Sequence, residues 1–244
     1  KELFKEKRVS FIPTMGCLHR GHLSLIKKSV KYKRKILVSI FVNPKQFNKR
    51  DDYKSYPRNI SSDIKKLNKA NVDYLYIPSF KDVYEFKTKK KVFLDKFSKK
   101  LCGKNRKGHF KGVVEVVNRF LEIIKPRFIF LGLKDFQQLY LIKKHILIRK
   151  IKTKVIECEI IREKNGVACS SRNFNLSNKQ KIIAADIYNY FSKLKKKLKK
   201  TDIFSQRSKL KKILLNLGAN KIDYVVNYNI KDLKTSNITN KNSK

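Results

Sequence analysis

Along the chain, short apolar runs alternate with stretches whose apolar residues recur every three or four positions. The runs at 9–12, 36–42, 74–77, 128–131 and 155–161 are bounded by turn residues and predict five buried strands. Between them, Leu23, Ile26 and Val30 fall on one face of a helix, as do Ile60, Ile64 and Leu67. Val113, Val116, Val117, Phe120 and Ile124 make a third stripe, and Leu139, Ile142 and Ile146 a fourth. Strand–helix–strand in repeated succession predicts an α/β protein with a parallel sheet covered on both faces. Ligands of such sheets sit beyond the carboxyl ends of the strands, so the residues that follow each strand are the first candidates for chemistry.

After residue 163 the pattern changes. Ile183, Ile187, Tyr190 or Phe191, Leu194 and Leu198 mark an amphipathic helix that runs into KLKKKLKK. Ile213, Leu214 and Leu217 mark another, and KIDYVVNYNI reads as a strand. This predicts a smaller α+β domain at 163–244 after a first domain at 1–162, closing in a polar tail, TSNITNKNSK, with little to bury.

Composition changes the picture in two ways. The 61 Lys and Arg against 19 Asp and Glu give a net charge of +42, yet 41% of residues are hydrophobic, which excludes simple disorder. No stretch of about 18 uninterrupted apolar residues exists, so no membrane-spanning helix is expected. The charge raises a polyanion-binding reading. It is spread as Lys over the whole chain, however, with no Arg cluster interleaved with aromatics, which argues against a nucleic-acid partner. Cys17, Cys102, Cys158 and Cys169 form no C-x-x-C pair, which argues against a zinc knuckle and fits a reducing cytoplasm.

The first strand leads into Pro13-Thr14-Met15-Gly16-Cys17-Leu18-His19-Arg20-Gly21-His22. Two imidazoles at the start of a helix can donate hydrogen bonds to phosphate oxygens where the helix dipole already favours an anion. Their competing structural role is to cap or pack the helix. Gly21 is expected to clear space for a bulky ligand. The fourth strand leads into Gly132-Leu133-Lys134-Asp135-Phe136-Gln137-Gln138, where Lys134 can neutralise phosphate and Asp135 can hold a ribose hydroxyl or cap the next helix. After the second strand, Asn43 and Gln46 offer uncharged amides suited to hydroxyl and carboxylate oxygens. Ser170, Ser171 and Arg172 make a second candidate anion clamp.

Taken together, FIPTMGCLHRGHLSLI, VSIFVNPKQFN with DDYKSYPRN, GHFKGVVEVVNRFLEIIKP, LGLKDFQQL and GVACSSRNFNLS resemble the pantoate–β-alanine ligase family, part of the Rossmann-like H-x-G-H nucleotidylyltransferases. The resemblance covers roughly residues 9–178. It implies ATP-dependent condensation of pantoate with β-alanine through a pantoyl adenylate, with release of AMP and pyrophosphate. His22, His19 and Lys134 would be catalytic, with His22 as proton donor. Met15, Gly16, Cys17, Leu18, Arg20, Gly21, Gly132, Leu133, Asp135, Ile161, Cys169, Ser170, Ser171 and Arg172 would complete the ATP site. Gln46, Gln138, Asn43 and Tyr56 would hold pantoate or β-alanine. Mg²⁺ is implied with ATP; Asp63 aligns with an acidic position near the metal, but its neighbours leave the metal ligands unassigned. A homodimer and a shortened C-terminal domain are implied as well. Leu133, where the family usually has Glu, Glu159 and Lys107, where it usually has Pro, and Glu115, where Thr is common, depart from the pattern. The rival readings are another H-x-G-H nucleotidylyltransferase and a basic nucleic-acid-binding protein.

Overall fold

The structure, a computed structural model, describes residues 9–197, 206–229 and 233. The described residues fall into two compact units, one holding residues up to 161 together with 168–175, the other holding 162–167 and the residues from 176 onward. The loop 168–175 therefore belongs with the first unit, although it follows the sequence boundary at 162.

In the first unit, β1 (Ser10–Thr14), β2 (Ile36–Ile40), β3 (Tyr74–Tyr76), β4 (Phe128–Gly132) and β5 (Lys154–Cys158) form one sheet in the order β3-β2-β1-β4-β5. Every pairing is parallel, with Thr14 opposite Ile40 and Gly132 opposite Cys158. The helices are α1 (Arg20–Val30), α2 (Arg50–Lys54), α3 (Ile60–Lys69), α4 (Phe80–Tyr84), α5 (Cys102–Asn105), α6 (His109–Ile124) and α7 (Phe136–Ile148). The order reverses between β1 and β4, which creates the crevice where doubly wound sheets bind ligands.

Alternate residues of β1 explain the layering. Ile12 faces a cluster with Leu18, Ile26, Val38, Phe130 and Ile156 on the α1 side. Phe11 turns to the other side, where its ring meets Phe120 of α6 edge-on at 5.7 Å. Phe120 also meets Phe41 and Tyr76. Truncating such a ring typically costs about 3–5 kcal/mol, so α6 is fastened to the sheet by this one side chain as much as by any.

Several elements are shorter than their apolar runs. β2 stops at Ile40 because its partner β1 ends at Thr14, and β5 stops at Cys158 because β4 ends at Gly132. Residues 159–161 are therefore loop, not strand. On α1, Val30 is exposed at the helix end. On α3, Ile60 and Ile64 are exposed as well, and the buried pair is Asp63 and Leu67. A carboxylate has displaced the expected isoleucine stripe, for a reason that lies in the site.

The second unit contains α8 (Asn178–Lys197) and α9 (Arg207–Asn216), which contribute the buried Ala185, Leu210 and Leu214. Arg162 lies over the Tyr188 ring and donates to the Gly166 carbonyl at 2.9 Å. The run at 221–230 forms no strand among its described residues, only bridge positions at 228 and 229. An alternating apolar pattern becomes a strand only where a neighbour offers a ladder. Leu198 and the tail at 235–244 lie outside the described residues. No described helix is long and apolar enough to cross a membrane.

One buried polar network ties the segment before α5 to α6 and α7. His145 is fully buried, accepts from the Phe93 amide at 3.0 Å through Nδ1, and donates through Nε2 to Asn118 Oδ1 at 2.9 Å. Asn118 in turn donates to the Lys90 carbonyl, while Glu122 accepts from the Lys89 and Lys90 amides. Burial, aided by the Arg149 charge, pushes His145 down from 6.5 to about 4. A lowered folded-state value means that the unfolded chain binds the extra proton. The contribution of His145 is therefore complete above pH 6.5 and is lost as the pH falls towards 4, amounting to about 3 kcal/mol. Urea unfolding at pH 7, 5.5 and 4.5 is expected to show this decline, and His145→Gln to flatten it; an equally steep decline in the variant would assign it to another group.

Candidate active site

The turn between β1 and α1 is held from below. Gly16 takes φ +77°, and Cys17 follows at +51°. The Gly16 amide donates to Thr14 Oγ1, while the Cys17 and Leu18 amides each donate to one oxygen of Asp63 at 2.7 Å. Lys66 donates to the Leu18 carbonyl at 2.7 Å, and Ser171 Oγ to the Cys17 carbonyl at 3.0 Å. Leu18 itself is in the core. Gly16, Cys17 and Leu18, expected against ATP, therefore do not line the cavity described below; their amides are already engaged, and they shape the turn. Arg20 is exposed outside it.

The two histidines cap α1. His19 is the N-cap residue, and its Nδ1 accepts from the Gly21 amide at 3.0 Å. His22 Nδ1 accepts from the His19 amide at 3.4 Å, and the rings lie 4.0 Å apart. In both rings an acceptor Nδ1 leaves Nε2 to carry the proton. The structural and chemical roles of these residues thus coincide: each imidazole takes a hydrogen bond from a helix-end amide and presents a donor at its far side. Gly21 serves the rings themselves, since a Cβ there would lie 2.8 Å from His19 Cε1. Burial, with His19, Lys134 and Lys66 as further causes, lowers His22 to about 3. It is a neutral donor at pH 7.

A cavity of about 250 Å³ opens at this turn, at the carboxyl end of the sheet beside the β1/β4 switch point. Met15, His19, Gly21 and His22 line it from β1 and α1, and Gly132, Lys134 and Asp135 from the end of β4. Lys134 pairs with Asp135 at 3.3 Å. Asp135 occupies the N-cap position of α7 but makes no capping bond, so its carboxylate stays with the lysine. Leu133 does not line the cavity. Ile161 and the stretch Cys169, Ser170, Ser171 and Arg172 supply another side. The Ile161 carbonyl accepts from the Cys169 amide at 2.9 Å, which leaves the Ile161 N–H as its backbone donor. Arg172 lies over the Tyr56 ring and holds Asp52 at 3.1 Å.

The remaining wall carries amides and aliphatic groups. Gln46, Tyr56 and Gln138 line the cavity together with Val113, Val116, Val117 and Phe120 of α6. Asn43 does not. It is buried, donating to Gln46 Oε1 and the Gly112 carbonyl and accepting from Lys45 N and Tyr84 Oη. It positions Gln46. Gly112 permits this approach, because a Cβ there would lie 2.3 Å from the Lys45 carbonyl. His109, pushed down by burial, donates from Nδ1 to the Gln46 carbonyl at 2.6 Å. Arg106 and His109 line the cavity without having been assigned a role from the sequence; the only signal was that His109 belongs to the GHF motif and Arg106 lies two residues before it. Among the described residues, no three His, Cys, Asp or Glu side chains gather to hold a metal, and Asp63 already has both oxygens on backbone amides.

The family model for pantoate-beta-alanine ligase matches residues 1–244. Among curated relatives, the pantothenate synthetases of Pseudothermotoga lettingae and Flavobacterium psychrophilum are each 45% identical, over 74% and 75% of this chain. The matched stretch spans 64% and 66% of those relatives, just under two thirds of their length. A structure of pantoate-beta-alanine ligase from Francisella tularensis, complexed with beta-gamma ATP and beta-alanine, aligns with TM-score 0.79 and 38% identity over 92% of this chain and 85% of that one. Pantothenate synthetase from Thermus thermophilus aligns with TM-score 0.90 and 28% identity over 99% and 88%.

The turn's dependence on Asp63 is measurable. Asp63→Ala leaves two buried amides without acceptors and is expected to cost about 3 kcal/mol or more of stability, read by urea unfolding. Asp63→Asn keeps one acceptor oxygen and is expected to lose roughly half as much. Equal stability of the alanine variant and the parent would remove the carboxylate from this role.

Proposed function

The chain belongs to the pantoate-beta-alanine ligase family, and we propose that it condenses pantoate with β-alanine in an ATP-dependent reaction that runs through a pantoyl adenylate. The observation that carries this reading is the convergence of His19, His22, Lys134 and Arg172, drawn from three separate stretches of sequence, on one cavity with Gln46 and Gln138.

In the first step, a pantoate carboxylate oxygen bonds to the α-phosphorus of ATP as the bond to pyrophosphate breaks. Negative charge builds on the phosphoryl oxygens and the leaving group, and fixed donors in a water-poor site stabilise it best. The Nε2–H groups of His19 and His22 and the cations of Lys134 and Arg172 are such donors. Because His22 is neutral, it acts as a hydrogen-bond donor and not as an imidazolium acid. Gln46 and Gln138 hold the oxygens of pantoate, and the valines of α6 with Phe120 receive its branched carbon centre. In the second step the neutral amine of β-alanine attacks the acyl carbon, an amide bond forms and AMP leaves. The apolar wall keeps water from the activated acyl group. Mg²⁺ accompanies ATP as its phosphate partner; the described residues offer it no cage, and no step here is assigned to it. A homodimer is part of the same proposal, to be read by sedimentation equilibrium. A cytoplasmic setting is also proposed, in keeping with four cysteines that form no disulfide.

Pantoate-dependent exchange of labelled pyrophosphate into ATP tests the first step, and AMP release that requires both pantoate and β-alanine tests the whole reaction. Exchange driven as well by a phosphorylated acceptor as by pantoate would favour a different nucleotidylyltransferase. His22→Ala is expected to lower turnover on the order of 10²–10³-fold, and near-normal turnover would remove the residue from catalysis.

The pH profile of kcat/KM gives a separate check. His22 sits near 3 and stays neutral across the assay range, so no limb between pH 5.5 and 8 should belong to it. A limb in that range that vanishes in His22→Gln would show that the imidazolium is the working form.

A further inference from the structure

Three cationic side chains other than histidine line the cavity among the described residues, and they differ in how they are neutralised. Lys134 has Asp135 at 3.3 Å, and Arg172 has Asp52 at 3.1 Å. Arg106 has no hydrogen-bond or ion-pair partner at contact distance among the described residues, although it is half-buried and faces the cavity; the charges of Arg172, Asp52 and Asp135 act on it only from further away. A guanidinium that has given up part of its hydration without gaining an acceptor is matched by a ligand anion.

Its place on the wall indicates which anion. Arg106 follows α5 and precedes α6 by three residues, in a segment fastened to the stretch at 43–48. His109 Nδ1 grips the Gln46 carbonyl, Asn48 donates to the Lys107 carbonyl, and Asn43 donates to the Gly112 carbonyl. Arg106 therefore shares the Gln46 wall, within reach of the Arg172 charge, whereas Lys134 follows β4 and the two imidazoles belong to the start of α1. The proposed reaction brings two carboxylates to this cavity. That of pantoate is the nucleophile and loses its charge when it is adenylated. That of β-alanine never reacts and stays charged throughout, so it needs a lasting partner away from the phosphorus.

We propose that Arg106 binds the carboxylate of the amine substrate and thereby selects an amino acid over a simple amine. This rests on the ligase reading, and the experiment separates the two. Arg106→Gln and Arg106→Lys are compared with the parent enzyme in two assays, pantoate-dependent ATP–pyrophosphate exchange and amide formation with β-alanine or its amide, 3-aminopropanamide, which lacks the carboxylate. The glutamine variant is expected to raise KM for β-alanine by about ten-fold or more, the loss of a charge-assisted hydrogen bond, and to erase the preference for β-alanine over the amide. The lysine variant, which keeps the charge without the fork, is expected to fall between. An unchanged β-alanine KM, or a preference that survives in the glutamine variant, overturns the assignment. So does a rise in KM for ATP or a loss of exchange in place of the β-alanine defect, which would give the guanidinium to the nucleotide. Absence of exchange in the parent enzyme would instead defeat the ligase reading itself.

Discussion

The buried carboxylate of Asp63 accepts the amides of Cys17 and Leu18, and the geometry of the cavity follows from those two bonds. The turn they hold contains a left-handed Gly16 and a left-handed Cys17, a shape that a side chain with a Cβ adopts only when its surroundings over-determine it. The surroundings here are explicit. Asp63 lies in the first turn of α3, where the helix dipole favours a negative charge, and Lys66, one turn on, secures the Leu18 carbonyl. Leu18 then drops into the core and His19 emerges at the N-cap of α1. A helix on one face of the sheet thus fixes the position of imidazoles that follow the central strand.

That constraint also sets the electrostatics. Helix-end amides commonly meet a phosphate directly. Here those of His19 and Gly21 are answered by imidazole Nδ1 atoms, and the donor capacity reappears at Nε2, further out and on a side chain. The arrangement holds both rings in one tautomer, and burial beside Lys134 and Lys66 holds His22 neutral. A neutral ring keeps a single, oriented N–H. It does so without adding a charge to a cavity already lined by Lys134, Arg106 and Arg172.

Much of this was legible in the sequence, and the failures have physical causes. β1, β2 and β4 are buried on both faces, so continuous apolar runs marked them well. Their ends were misjudged because a strand stops where its neighbour stops, which is a property of the pair. The isoleucines of α3 suggested the wrong face, since the buried position belongs to Asp63, whose partners are more than forty residues away in sequence. The run at 221–230 had the right alternation but no ladder among the described residues. Within the site, His19, His22, Lys134, Gln46 and Arg172 could be picked out because each follows a strand or a motif. Arg106 could not, because one more cation in so basic a chain carries no signal until its lack of an acceptor is seen.

A net charge of +42 acts on every anion alike. A surplus spread over the whole surface raises the local concentration of any anion, and at physiological ionic strength its reach is about 8 Å, so it cannot choose among anions. Selection requires cations whose own neutralisation is graded. Asp135 and Asp52 already partner Lys134 and Arg172, and an incoming anion must compete with those carboxylates. Exchange of one anion for another keeps binding and release both shallow. Arg106, which feels Asp52 and Asp135 but holds no carboxylate at contact distance among the described residues, suits a small carboxylate whose single charge could not displace an aspartate. The aspartates, few in this chain, thereby grade the cations that face the cavity.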